Sequence, residues 1–174
     1  MFASAPLFNS DLNAWNTSAV VDMSGMFADA PLFNSSLNDW DVSSVTDMSY
    51  MFGDATSFSQ DIGAWNVSSV TSFSHMFAKA TSFDSDLNSW PISTSISISS
   101  AVKMDRMFYN ATSFNGDLQD WQVSSVVDMY AMFASATSFA GNLSAWNVSR
   151  VRRMQSLFSF ATSFDSVLDA WDVR

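Results

Sequence analysis

Large apolar residues recur along this chain at a fixed interval of 25 residues, and they do so in several columns at once. Tryptophan stands at Trp15, Trp40, Trp65, Trp90, Trp121, Trp146 and Trp171, with spacings of 25, 25, 25, 31, 25 and 25. Phe2, Phe27, Phe52, Phe77, Phe108, Phe133 and Phe158 keep the same spacings, as do Phe8, Phe33, Phe58, Phe83, Phe114, Phe139 and Phe164. An alanine column, Ala5 to Ala161, holds without exception, and aliphatic and methionine columns run beside it. No single 25-residue unit has enough neighbours to bury so many large side chains. Stacked units bury each column on itself, which makes periodicity the first fact about the fold. Inside a unit, Met48, Met51, Phe52 and Ala55 fall at i, i+3, i+4 and i+7 and predict a short helical turn, with Asp47 or Ser49 as its cap. The β-rich stretch from Val42 to Asp47 predicts a short strand or extended coil. If the turns stack through strands, seven of them span roughly 34 Å at about 4.8 Å each.

These columns predict one repeat solenoid over residues 1–174, with short parallel strands and one short helical turn per 25-residue coil. Its units are 1–25, 26–50, 51–75, 76–106, 107–131, 132–156 and an incomplete 157–174. The fourth carries six extra residues, in Ser93-Thr94-Ser95-Ile96-Ser97-Ile98-Ser99, where alternating Ile and Ser suggest a short extended flap on one face. Two substitutions follow from the columns. Ala80→Leu is expected to cost about 1–3 kcal/mol by overpacking, and Trp65→Ala about 3–5 kcal/mol if its column is buried.

Composition narrows the chemistry. All 17 acidic residues are Asp, and serine occurs 34 times, so turns and caps are favoured over long helices. A formal charge of −10 argues against nucleic acid as a partner. Arg150, Arg152 and Arg153 are the local exception. The absence of Cys removes disulfides, zinc-thiolate sites and thiol catalysis together. No apolar run approaches the length of a membrane span, and no signal peptide is visible.

Segments such as Met26-Phe27-Ala28-Asp29-Ala30-Pro31-Leu32-Phe33-Asn34 and Trp40-Asp41-Val42-Ser43-Ser44-Val45-Thr46-Asp47-Met48-Ser49 closely resemble a bacterial surface-protein repeat. This is the unit of mycoplasma- and listeria-type lipoproteins and of BspA-like relatives of leucine-rich repeats. The resemblance covers the whole chain and implies a right-handed, leucine-rich-repeat-like solenoid. It also implies a cell-surface or secreted location, roles in adhesion and protein binding, and no catalytic residues. The fourth unit departs from the pattern at Pro91 and the insertion. The last two depart at Arg152-Arg153 and Val167.

Candidate chemistry is sparse. The lone histidine, His75, sits in a column with Gly25, Tyr50, Arg106, Ala131 and Ser156, a variety expected of a solvent-facing position, and it has no evident nucleophile to activate. The column of Asp11, Asp61, Asp86 and Asp117 reads as turn caps, with shared calcium as the alternative. Asn16, Asp41, Asn66, Gln122, Asn147 and Asp172, each following a Trp, are expected to satisfy backbone groups of the adjacent turn. Asn-x-Ser/Thr sequons at Asn16, Asn34, Asn66, Asn110, Asn142 and Asn147 are written by the repeat itself. Aligned Thr-Ser pairs offer only one Thr per turn to an ice lattice.

The expectation is therefore a non-catalytic structural or protein-interaction module without cofactor or metal. Its candidate surface is Tyr50, His75, Ile96, Ile98, Arg106, Arg152 and Arg153. Its partner would be another protein, or further repeats at the open ends, where no polar capping repeat is evident. A solenoid binding glycan, calcium or ice is the alternative.

Overall fold

The computed structural model describes residues 1–92 and 101–173. Its periodic backbone arises from two interleaved sets of hydrogen bonds. Across Met48–Asp54 the N–H groups of Met48, Tyr50, Phe52 and Asp54 donate to Ser72, Ser74, Met76 and Ala78 of the next coil, at 2.8–2.9 Å. The alternate N–H groups, those of Met51, Gly53 and Ala55, turn back to Met48, Tyr50 and Phe52 of the same coil at 3.0–3.1 Å. Every donor in this polar-looking segment is thus satisfied while its Met, Phe and Ala side chains stay inside.

This is not the helical turn that the apolar stripe predicts. Among the described residues there is no α-helix, and the one helical element is a 3-10 turn over Val123–Ser125. Met48, Met51, Phe52 and Ala55 are all fully buried, so the stripe is real. Successive four-residue turns generate it as well as a helix does. Alternate turns take a positive φ at their third residue, the position where a type II turn requires it: 57° at Tyr50 and 59° at Asp54, 58° at Gly25 and 55° at Asp29. An α-helix would send its N–H groups back into the same coil. Here half of them reach the neighbour, where they help bind coil to coil. Asp47 does cap this segment, its Oδ1 accepting from the Ser49 N–H at 2.7 Å.

The expected strand shrinks in the same way. Val42 to Val45 closes a turn (Val45 N–H to Val42 O, 2.9 Å), and Asp47 makes a single parallel bridge to Asp22 on one side and Ser72 on the other. The bridge column continues through Lys103, Asp128 and Arg153. Only at β1 (Val102–Lys103) and β2 (Val126–Asp128) does it widen into a paired parallel sheet. The widening coincides with Gln122. Where Asn16, Asp41, Asn66 and Asn147 each accept the N–H two residues on in their own coil at 3.0–3.2 Å, Gln122 makes no such cap. Its side chain is one methylene longer, and Val123–Ser125 winds into the 3-10 turn instead. These bonds correct the expectation that the post-Trp residues serve the adjacent coil.

The core is one continuous cluster from Leu12 to Leu157, with Phe2, Phe8, Phe164 and Trp171 packed more openly at its two ends. The two Phe residues of each coil stack face to face at 3.8–4.2 Å. The Phe2–Phe158 column repeats at 5.5–5.8 Å from coil to coil. Each indole from Trp40 onward donates its Nε1–H to the Leu or Ile carbonyl of the preceding coil, at 2.8–3.3 Å. The tryptophan column therefore combines apolar burial with a hydrogen bond that fixes register. Register survives the long fourth unit: Trp90 and Trp121 stack at 6.3 Å, and Phe83 and Phe114 at 5.9 Å.

One prediction concerns the left-handed positions. Ala131 is buried with φ 51°, a conformation that costs an L-residue roughly 1–2 kcal/mol. Ala131→Gly should stabilise by about 0.5–1 kcal/mol after the added chain entropy is subtracted. Gly25→Ala, at φ 58° with open space around a new Cβ, should destabilise by a similar amount. Denaturation midpoints moving in the same direction in both variants would contradict this backbone.

Candidate interaction surface

Columns that stack on themselves are consumed by the fold. The residues that break the columns gather along one edge. Tyr50, His75 and Arg106 occupy successive rungs of one left-handed column, at φ 57°, 60° and 52°. The rings of Tyr50 and His75 lie 4.2 Å apart and within 10° of parallel. Arg106 Nη1 stands 3.4 Å from His75 Nε2. On its other side the guanidinium sits 4.7 Å from the centre of the Tyr130 ring, which also receives Arg153 at 5.2 Å. Arg153 is anchored by its Nη1 donating to Asp128 Oδ2 at 2.7 Å. The result is a ladder of aromatic and cationic side chains across five coils: Tyr50, His75, Arg106, Tyr130, Arg153.

His75 is not the solvent-facing residue that its column suggests. Its side chain is only 15% exposed, sandwiched between Tyr50 and Arg106. A guanidinium can only donate, so Nε2 must accept and the ring proton belongs on Nδ1. That nitrogen faces Asp105 Oδ2 at 3.7 Å, too far for a hydrogen bond, and it is buried without a partner. Burial pushes the His75 pKa below the ordinary value of 6.5; Asp105 pulls it upward, and Arg106 pushes it down again. Between the unfolded and folded values the unfolded chain binds more protons, so stability falls as pH falls through 6.5 and below. Asp22 and Asp41 do not interfere in that window. Hydrogen bonds from Ser24 and Ser43 hold both below the usual 3.8, so their contribution is lost only at still lower pH. The melting temperature of the wild type is therefore expected to drop between pH 7.5 and 5, and that of His75→Gln to drop less. Equal drops would refute the assigned environment.

The other candidates fall elsewhere. Ile96 and Ile98 lie outside the described residues. Arg152 is exposed and lines a separate shallow groove with Val151, Met154, Gln155 and Val173, while its backbone N–H donates to Val127 O at 2.8 Å. Tyr130 is the residue that the column reading passes over. It stands in the column of Ser24, Ser49, Ser74, Asp105 and Gln155, and a lone aromatic among polar residues was the available signal. Beyond Arg106 the face steps down to Ala131, Ala134 and Ser156. This leaves a groove of about 280 Å³ between Arg106, Tyr109 and Tyr130 on one side and the exposed Phe160 on the other.

The aspartate column uses its carboxylates locally. Asp11, Asp61, Asp86 and Asp117 each accept the N–H two residues on, at 2.8–3.0 Å. Among the described residues, no group of three His, Cys, Asp or Glu side chains is placed to hold a metal ion. The threonine hydroxyls of Thr56, Thr81, Thr137 and Thr162 donate to a carbonyl of the preceding coil at 3.3–3.4 Å, so they serve the stack. Among the described residues no helix is long and apolar enough to cross a membrane.

No curated protein and no solved structure matches the chain. A family model does, in two stretches covering residues 1–102 and 94–174 that meet across the irregular fourth unit. With its length covered in this way, the chain belongs to the repeat-containing family described as Mycoplasma protein of unknown function, DUF285.

Proposed function

We propose that this chain is a right-handed, leucine-rich-repeat-like solenoid of the BspA-like kind that acts without catalysis. On this reading it presents a side-chain ladder to a protein partner at a cell surface or in a secreted assembly. The observation that carries the reading is the division of labour among columns. Trp, Phe, Met, Ala, Thr and capping Asp side chains all serve stacking, while Tyr50, His75, Arg106, Tyr130 and Arg153 break the pattern and converge on one edge. Aromatic and arginine side chains are the types that dominate binding energy at protein interfaces. Their mutual packing also holds them in one arrangement before a partner arrives, which lowers the entropic cost of association. Incorporating a photo-crosslinking amino acid at Tyr50, and separately at exposed Asn38 outside the ladder, tests the reading in the native cells. The same partner should be captured from position 50 and not from 38. Equal capture from both positions, or capture from 38 alone, would defeat it.

A further inference from the structure

The ladder carries its arginines in the later coils only. In the later coils Tyr130 lies between Arg106 and Arg153, at 4.7 and 5.2 Å, and Asp128 holds the Arg153 guanidinium at 2.7 Å. In the earlier coils the exposed ring is Tyr50, in the column next to that of Tyr130, and Asp22 and Asp47 occupy the Asp128 position of the parallel bridge column. No arginine accompanies them. Residues 1–78 contain eight aspartates and neither Lys nor Arg; all seven basic residues lie at or after Lys79.

The Tyr50 ring also has a vacant side. One face is stacked on His75, and the ring rests over Gly53, where an added Cβ would come within 3.0 Å of Cδ1. The rung of the same column on the preceding coil is Gly25, which has no side chain. A Cβ built there meets only Ala28 Cβ, at 3.9 Å. Tyr50 is 46% exposed. The column thus continues past Tyr50 into open space one rung deep. Asp22 and Asp47 each spend Oδ1 on capping a backbone N–H, at 2.8 and 2.7 Å, and a carboxylate accepts at both oxygens.

We propose that the slot between Gly25 and Tyr50 receives an arginine from a basic segment of a partner protein. The guanidinium stacks on the free Tyr50 face, with the carboxylates of Asp22 and Asp47 as counter-charges; Arg153 shows the same pairing of ring and carboxylate, in a different column, with Tyr130 and Asp128. A planar guanidinium both stacks and forks onto carboxylates, whereas a lysine ammonium does neither as well. This inference rests on the ladder's being a docking face and adds the chemistry of what docks there.

The test uses the isotope-labelled chain titrated with oligo-arginine, oligolysine and oligoglutamate of equal length. Oligo-arginine should bind about three- to fivefold tighter than oligolysine, the preference of an exposed cation–π contact. Amide shifts should centre on Gly25 and Tyr50. Tyr50→Ser should abolish the preference while leaving oligolysine binding in place, and Tyr50→Phe should keep it. Equal affinity for the two basic peptides, shifts centred elsewhere, a preference that survives Tyr50→Ser, or tighter binding of oligoglutamate would each overturn the arginine slot. The docking-face reading would survive these results if crosslinks from position 50 still captured one partner. Loss of that capture alongside a retained arginine preference would overturn the docking face alone.

Discussion

Trp65→Ala is expected to lower stability by about 3–5 kcal/mol, read as a shift in denaturation midpoint. The indole is 3% exposed, packs 6.3 Å from Phe52, and donates Nε1–H to Leu37 O of the preceding coil at 3.3 Å. Truncation opens a void in the middle of a stack and leaves a buried carbonyl unpaired. Trp65→Phe separates the two effects. It keeps a ring and removes only the donor, for an expected loss of about 1–3 kcal/mol. Trp15 supplies the contrast: it is 42% exposed, so Trp15→Ala should cost less than half as much as the same change at Trp65. A globular protein has only about 5–15 kcal/mol to lose, so the central substitution removes a large share. Since each coil contacts chiefly its neighbours, the denaturant slope should also fall as the stack splits into two weakly coupled halves.

Ala80→Leu is the second large effect. Ala80 is fully buried, between Ala55 and Ala111 of the adjoining coils, and its N–H closes the tight turn onto Phe77 O at 3.0 Å. Ala55, Ala80 and Ala111 are all fully buried, so the extra atoms of a leucine at position 80 have to displace their neighbours. A cost of about 1–3 kcal/mol follows from overpacking. Ala64→Leu, at an exposed position of the preceding repeat, should stay within about 0.5 kcal/mol of the wild type. Similar losses at Ala64 and Ala80 would show that the alanine column is not a steric limit.

The buried set was legible in the sequence because burial here is dictated by column, and columns are what a 25-residue period exposes. Phe27, Phe52, Phe77, Phe108 and Phe133 are all fully buried, as their spacing demands. The conformation of the Met48–Ala55 segment was not legible. A helix and a run of four-residue turns place apolar residues on nearly the same positions. What separates them is whether the Tyr50 and Asp54 N–H groups point along the coil or across to the next one. A weak signal existed in Gly25, Asp29, Asp54 and Asn110, residue types that tolerate positive φ, but Tyr50, His75 and Arg106 obscured it. The ladder itself was half legible. Tyr50, His75 and Arg106 share a column and are visible together. The Arg106–Tyr130–Arg153 contacts run between different columns, and no alignment of units brings those residues side by side.

Everything rests on successive units lying directly over one another, including across the six extra residues. The chain contains no cysteine, so an introduced pair has no competing thiol. Thr81 and Thr112 occupy the same threonine column on either side of the insertion, the one that links Thr81 to Thr56 and Thr137 to Thr112. Parallel neighbours about 4.8 Å apart fall within the reach of a disulfide. Quantitative oxidation of the Thr81→Cys/Thr112→Cys double variant, with no loss of melting temperature, is the predicted result. Failure of that pair to close, with closure instead between positions 81 and 106, a plain 25-residue step, would contradict the stacking.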